Sequence, residues 1–554
     1  MSFCLLTQAW IPVRRASGRT LSIRPCDITD DLAGDPIVAL DWPRPDFRLA
    51  GLEFLIGLLA TACPPADNDE GWRDRWTTPP TPDALQAAFL PFSAAFMLDG
   101  EGPRFMQDFA TISGDAKPVE ALLIDAPGEQ TRKKNTDHFS KRDATVTMSR
   151  AAAAMALFTL QSFAPAGGAG NRVGLRGGGP LTTLALPPWP GELPLWHLLW
   201  ANVPVGEVPA ADQMPKIFPW LVPTRTSNDN RKTNPVDTHD LQAYWGAARR
   251  IRLVFSDNAD AAPCDILGIT DGLVVRGWKQ QPYGANYALW NHPLSPYYRQ
   301  KPTDAEWLPV HAQPGGVGYR NWVGLLVDDA NDSPTRRPAS AITIFRSQRL
   351  RHLRSADRIR WRMLAAGYDM DNMKARGFVE SEMPIVQPAS SGQDAEFILL
   401  LRQLIDAATE AASLLGRAIR RALFSEGAKV PLDASMLETV RARFWDATEP
   451  AFLQRVQDAA APAVDIEQVR KAWLVDLVRM MRRLFAEAAP IDASGADRRP
   501  DRIAAAGRNL NFSLSGYGKD GEALWRKLGL PPPERATSRK ATAQKPNKPK
   551  KAKP

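Results

Sequence analysis

The chain has 554 residues, 44% hydrophobic and 23% charged, which predicts two or more globular domains and excludes a disordered or simply repetitive protein. Its formal charge of +8 is concentrated at one end: Glu534–Pro554 holds eight Lys/Arg and one Glu, and the preceding 533 residues carry 61 basic and 60 acidic groups, so any nucleic-acid contact by the body must come from local patches. Four scattered cysteines (Cys4, Cys26, Cys63, Cys264) exclude a zinc ribbon and a disulfide framework, and with neither a signal peptide nor an 18-residue apolar run the expected setting is reducing and cytoplasmic.

In chain order, Ala9–Val13 and Thr20–Ile23 read as a hairpin. Phe47–Cys63 reads as a helix ended by Pro64-Pro65, and Thr81–Leu98 as a second helix with Thr81-Pro82-Asp83 as its cap. Residues 126–149 are polar. Within them Arg132–Arg142 places five Lys/Arg and His138 around Phe139, which suits either phosphate neutralisation with base stacking or a plain solvated loop. A helix is predicted over Arg150–Phe163 and a strand over Leu181–Leu186. Between them, Ala166–Thr183 packs seven glycines into eighteen residues together with Arg172 and Arg176. Exposed backbone N–H groups beside guanidinium donors can form a nest for phosphate or for a groove edge, and the competing reading is a flexible turn. Neither a Walker A loop nor Gly-x-Gly-x-x-Gly is present, which argues against an ATP site.

Further on, Ile251–Phe255, Gly272–Val275 and Trp322–Val327 read as short strands among many Pro and Trp, and Ala366–Gly377 as a loop. Beyond residue 390, Asp394–Phe424, Ala434–Ala459, Asp465–Ala488 and a shorter stretch within Asp501–Leu514 show helical spacing. The fold class expected is therefore α+β: an irregular mixed body over residues 1–390, an antiparallel four-helix bundle over 391–530, and a disordered Lys/Pro-rich tail over 531–554. Pro388–Asp394 reads as the linker, about which the bundle is expected to pivot. Arg417, Arg420, Arg421, Arg479, Arg482 and Arg483 fall at spacings able to form basic stripes.

Little in the sequence carries reaction chemistry. The six histidines lack metal-ligand spacing and no Gly-x-Ser-x-Gly occurs. Asp369 and Asp371 could hold Mg²⁺, although two acids in one loop are more often turn formers. No catalytic residue, metal or cofactor is assigned.

Five stretches taken together resemble one family. They are Gln8-Ala9-Trp10-Ile11-Pro12-Val13-Arg14, Asn135-Thr136-Asp137-His138-Phe139, Gly174-Leu175-Arg176-Gly177-Gly178, Trp290-Asn291-His292-Pro293-Leu294-Ser295-Pro296 and Gly367-Tyr368-Asp369-Met370-Asp371-Asn372-Met373. In this order, followed by a helical bundle, they resemble the CasA family, the large subunit of the type I-E Cascade CRISPR surveillance complex, over roughly residues 5 to 515.

The resemblance implies a noncatalytic subunit that reads the protospacer-adjacent motif (PAM) in duplex DNA, helps open the duplex into an R-loop and recruits a helicase–nuclease. Its implied partners are the other Cascade subunits with CRISPR guide RNA, the double-stranded target with its displaced strand, and that nuclease. In such systems base pairing reads the target and protein reads only the flanking motif. By position, the implied DNA-contacting residues are a glycine loop at Gly167, Gly168, Ala169 and Gly170 with Arg172, a lysine loop near Lys279, and a hairpin-tip wedge at Asp371, Asn372 and Met373 with Lys374 and Arg376. A loop of Asn135, Thr136, Asp137, Phe139, Lys141 and Arg142 would touch the guide RNA and the base of the complex. The sequence departs from the family pattern at Ala169, where a glycine is expected, and at Gln280-Gln281 after Lys279. Two other readings stand beside this one: a metal-dependent nuclease built on Asp369, Asp371 and a histidine, and a scaffold whose basic tail alone meets nucleic acid.

Overall fold

Pro45–Ala62 is a helix that is apolar nearly all round, so it has to be central: Pro45 opens its first turn, and Phe47, Leu49, Phe54, Ile56, Leu58 and Leu59 are all buried. Phe54 meets Trp10, Phe96, Phe105, Phe158 and Trp245 at ring-centroid distances of 5.3, 5.9, 6.0, 5.6 and 5.8 Å, each edge-to-face. The tryptophan excess is spent largely on this kind of packing, since Trp10, Trp42, Trp72, Trp196, Trp200 and Trp245 are fully buried. Against the central helix lies Arg150–Phe163, capped by Ser149, whose Oγ accepts from the Ala152 N–H at 3.3 Å.

The computed structural model describes residues 2–137, 141–168, 170–188, 193–313, 315–327, 335–353, 360–371, 373–387, 394–425, 435–461, 463–491 and 499–534. It divides into two units, Met1–Gln387 and Pro388–Pro554. The tail beyond residue 534 lies outside the described residues.

The first unit is the mixed body, with small antiparallel sheets. Ile11–Arg15 pairs with Thr20–Ile23 and with Ile37–Leu40. Leu273–Gln281 pairs with Arg250–Asp257, Lys117–Pro118 and Met148–Ser149. Thr182–Leu186 pairs with Arg362–Asp371, which turns back into Lys374–Pro384.

Three local expectations are corrected. Trp322–Val327 is not a strand but part of the helix Tyr319–Leu326, because Tyr319, Trp322, Val323 and Leu326 recur at three- and four-residue spacing and share the buried face. The helix expected over Thr81–Leu98 ends at Phe89. Thr81 caps it as expected, and Pro91 then forces a 3₁₀ segment, Leu90–Phe96. Ala366–Gly377 is not a loop but the distal half of a β-hairpin.

The second unit is helical: Asp394–Leu423, Ser435–Ala460, Ile466–Ala488 and Pro500–Leu514 match the anticipated segments, and Gly518–Lys527 adds a fifth helix. The first of these packs against the other four. Arg502 closes its end, with Nε and Nη2 donating to the Ala422 and Leu423 carbonyls at 3.0 and 2.9 Å. The expected basic stripes are largely neutralised within the unit. Arg417 pairs with Glu410 and Asp520, Arg479 with Asp476, and Arg483 with Glu487, while Arg482 donates to Asn511.

Candidate nucleic-acid interface

The glycine run splits into two parts with different work. In its second part a side chain would strike internal atoms. A Cβ on Gly174 would lie 2.8 Å from the Ser162 carbonyl oxygen, one on Gly178 2.6 Å from Pro165 Cα, and one on Gly179 2.5 Å from the Tyr368 carbonyl oxygen. These glycines let the chain press against the helix end and the hairpin strand. Arg176 belongs to this internal part. Its guanidinium is buried, bonds both Glu53 oxygens at 3.1 and 2.6 Å, and also donates to Thr182 and Ser295. The phosphate nest expected at Arg176 is therefore corrected: its donors are already used inside the fold.

The first part, Gly167–Arg172, lies at the surface. Asn171 folds it into a tight turn, with N and Nδ2 both donating to the Gly168 carbonyl at 3.3 and 2.9 Å, and the Gly167 N–H bonds the Asn171 carbonyl at 3.0 Å. Gly170 has φ +76°, and its carbonyl accepts from the Tyr283 N–H at 2.9 Å. A Cβ at Gly168 would meet nothing within 4 Å. Arg172 is half-buried and tied to Ser227 through Nε at 2.9 Å. Ala169 lies outside the described residues.

Lys279 sits on a strand rather than a loop, opposite Arg252. This corrects the expected lysine loop: Lys279, Gln280 and Gln281 are still paired with Arg252, Ile251 and Arg250, so the strand runs through to Gln281. Lys279 makes no side-chain hydrogen bond or ion pair with any described residue. Its neighbour Gln280 joins the strand to the glycine turn, donating through Nε2 to Asn171 Oδ1 and accepting from Lys117 Nζ at 3.0 Å. Lys117 also covers the Trp278 ring at 5.2 Å. Lys117, Gln280 and Tyr283 thus fix the glycine turn. Gln280 stands out in the sequence only as a departure from the family pattern, and Lys117 and Tyr283 give no signal, because they meet the turn only through strand pairing or a distant loop.

The same glycine run continues into Thr182–Leu186, which pairs with the hairpin strand Arg362–Asp371. The hairpin carries Asp371 and Lys374 as its last pair, and Met373 stands 56% exposed at the tip. Asn372 lies outside the described residues. Below the tip, Arg376 grips buried Asp369 through Nη2 and Nε, at 2.7 and 3.1 Å. This pair engages Arg376 in the free chain and takes up one carboxylate of the proposed metal pair. No group of three or more metal-ligating side chains occurs among the described residues.

The Asn135–Arg142 segment is also more self-contained than its charge suggests. Arg142 bonds Asp137 twice, the Asn135 side chain and the Arg132 carbonyl, while Arg132 pairs with Glu120 and Asp143, and Lys133 with Glu129. Lys134 and Lys141 are the exposed cations left without a side-chain partner among the described residues. Phe139 and His138 lie outside them. The Arg142 hydrogen bonds hold Asp137 down from 3.8 to about 2. A depressed acid contributes fully above its unfolded value and loses the contribution as pH falls through its folded one. The lock should therefore be intact at pH 4 and open below about pH 2, whereas Asp137→Asn should open it at every pH. Hydrogen exchange of the Thr136 amide, bonded to the Thr131 carbonyl at 3.0 Å, reads this directly.

A sequence profile of the family described as CRISPR-associated protein Cse1 matches residues 5–484. The fold is similar to that of Thermus thermophilus CasA (Cse1), with a TM-score of 0.66 and 18% identity over 93% of this chain and 100% of that chain. It is similar to Cse1 from Acidimicrobium ferrooxidans, with a TM-score of 0.66 and 17% identity over 96% and 99% of the two chains. A chain of a CRISPR RNA-guided surveillance complex matches with a TM-score of 0.64 and 16% identity over 93% and 99%. At such identities the structural likeness speaks for the fold alone, and membership rests on the profile match across most of the sequence. The chain belongs to the CRISPR-associated protein Cse1 family, also called CasA.

Proposed function

We propose that this chain is the noncatalytic large subunit of a type I-E Cascade complex, which recognises the PAM in duplex DNA, starts strand separation and recruits the helicase–nuclease. The observation that carries the reading is the hairpin tip: Met373, an exposed apolar side chain, at the end of a ribbon stiffened by the Arg376–Asp369 pair and by pairing with Thr182–Leu186. Separating a base step costs on the order of a few kcal/mol, and an apolar side chain inserted at the step offsets that cost. Lys374, exposed beside it, would meet a flanking phosphate without reading sequence. The Gly168 turn and Lys279 would face the minor groove, whose degenerate pattern suits a subunit accepting several PAMs. Lys134 and Lys141 would serve the guide RNA and neighbouring subunits, and the helical unit the displaced strand. Arg421, Arg441, Arg508 and Lys519 are its exposed cations without a partner among the described residues.

The test is made in the reconstituted complex with guide RNA. Changing Asn372 and Met373 to glycine should leave assembly intact and slow R-loop formation on relaxed duplex about tenfold or more, the rate equivalent of about 1.4 kcal/mol. A target with a pre-opened bubble beside the PAM should restore the rate. A double variant that opens relaxed duplex at the unaltered rate would remove the wedge from the proposal.

A further inference from the structure

In the first unit a cavity of about 290 Å³ opens to solvent between Pro215–Arg225, Thr233–Arg249 and Ala285–Tyr287. This size lies at the lower end of small-ligand sites. Two aromatic residues line it among mostly polar neighbours, Trp220 (2% exposed) and Tyr287, and both are held in place. Trp220 donates Nε1 to the Ala95 carbonyl at 2.7 Å, and the Tyr287 hydroxyl accepts from the Ala247 N–H at 3.1 Å. Val222 lies at the partly exposed rim.

The charges of the lining do not balance. Both acids are occupied: Asp108 takes Arg250 Nε at 2.5 Å and Thr224 Oγ1 at 3.3 Å, and Asp237 takes Arg225 at 3.4 Å and the Asn234 N–H at 3.0 Å. Two cations have no acid among the described residues. Lys216 has no side-chain partner among the described residues, and the Arg249 guanidinium bonds only the Pro165 and Arg172 carbonyls, at 2.5 and 3.4 Å. Burial pushes Arg249 down to about 10, which still leaves it charged at neutral pH. One acceptor is also idle: Gln242 is 2% exposed and donates Nε2 to the Lys216 carbonyl, while its Oε1 finds no donor. A buried acceptor left unmet in a lined cavity marks a place where a ligand N–H belongs.

We propose that this cavity binds a single nucleotide, free or at the end of a strand. Its phosphate is held by Lys216 and Arg249, its base lies against Tyr287, and a base N–H is accepted by Gln242. A planar ring, an anion and a donor edge are the three features the lining lacks, and one nucleotide supplies all of them. The site is separate from the duplex-reading assignment and is tested on the isolated full-length chain.

Calorimetric titrations with deoxynucleoside 5′-monophosphates, the matching nucleosides and inorganic phosphate separate the contributions. Saturable binding of a monophosphate is expected, at least tenfold tighter than its nucleoside and than phosphate. Lys216→Glu, at an exposed position, should weaken the monophosphate about tenfold and leave the nucleoside unchanged. Val222→Trp should fill the mouth and abolish both at unchanged melting temperature. A 5′-phosphorylated oligonucleotide that competes with the monophosphate assigns the site to strand ends, and one that does not compete assigns it to free nucleotides. No saturable binding at millimolar monophosphate, phosphate binding as tightly as nucleotide, or undiminished binding by Val222→Trp would each overturn the proposal.

Discussion

Replacing Arg176 with methionine is expected to destabilise the first unit by about 3–5 kcal/mol, the usual cost of removing one partner from a buried ion pair. Arg176 and Glu53 are 3% and 2% exposed and meet at 2.6 Å, so the substitution would strand the Glu53 carboxylate where no water can reach it. Thr182 would remain on Glu53 Oε1 at 2.5 Å, one donor where there had been three. The lost guanidinium also covers the Phe163 ring at 5.1 Å, so packing is lost with charge. Urea unfolding followed by tryptophan fluorescence should show a lower midpoint. Glu53→Met combined with Arg176→Met should recover most of the loss, because it leaves no orphaned charge. If the double variant were as unstable as the single one, the desolvated carboxylate would not be the cause. Because the residue never reaches the surface, any loss of DNA binding in Arg176→Met should follow the loss of folded protein.

That arginine shows where local reading of the sequence stops. Helices with one strong signal were legible to within a residue or two. Arg150–Phe163 has Ser149 before it and alanine through its first turns, and Ile466–Ala488 starts on Asp465, whose side chain accepts from the Gln468 N–H at 3.1 Å. The hairpin Ile11–Ile23 was legible from alternation and its turn. Short apolar runs were not. Trp322–Val327 is six residues long, a length at which strand and buried helix look alike, and only its packing decided for helix. The hairpin at Arg362–Pro384 was hidden for the opposite reason. Gly367 and Asp369 are turn formers placed within strand, and Gly367 is there because a Cβ would come 2.5 Å from the Pro180 carbonyl oxygen.

The candidate site was legible as residue types and not as partnerships. Arg172 and Arg176 are four positions apart and look equivalent, yet one is tied near the surface to Ser227 and the other is buried on Glu53, 123 residues away in sequence. Arg376 and Lys374 flank the same tip, and Arg376 is held by Asp369 at 2.7 Å while no ion pair is seen for Lys374 among the described residues. Lys117 gave no signal because its role depends on the pairing of Lys117 with Trp278, a contact between strands about 160 residues apart. Charge and glycine content can be counted along a chain, whereas which of them remain available depends on long-range packing.

The glycine turn gives the cleanest separation of folding from recognition, because two of its glycines should respond in opposite ways. Gly170→Ala should cost about 1–2 kcal/mol from the left-handed backbone alone, at φ +76°. The clash adds to this, since the new methyl would lie 2.9 Å from the Tyr283 ring and 3.2 Å from its backbone nitrogen. Gly168 is outside that backbone region, and a methyl there would meet open space. Gly168→Ala and Gly168→Val should therefore leave the melting temperature within about a degree of the unaltered chain. If the turn lies against the minor groove, the same side chains would stand between backbone and DNA. Binding of a PAM-containing duplex by the assembled complex should then weaken about tenfold for alanine, about 1.4 kcal/mol, and further for valine. No phosphate contact is removed, so the slope of affinity against salt should not change. Fluorescence anisotropy at three salt concentrations, read beside the melting curves, measures all of this. Gly168→Val bound as tightly as the unaltered chain would place the DNA elsewhere, and a flattened salt slope would mean that the turn holds phosphate instead of facing the groove.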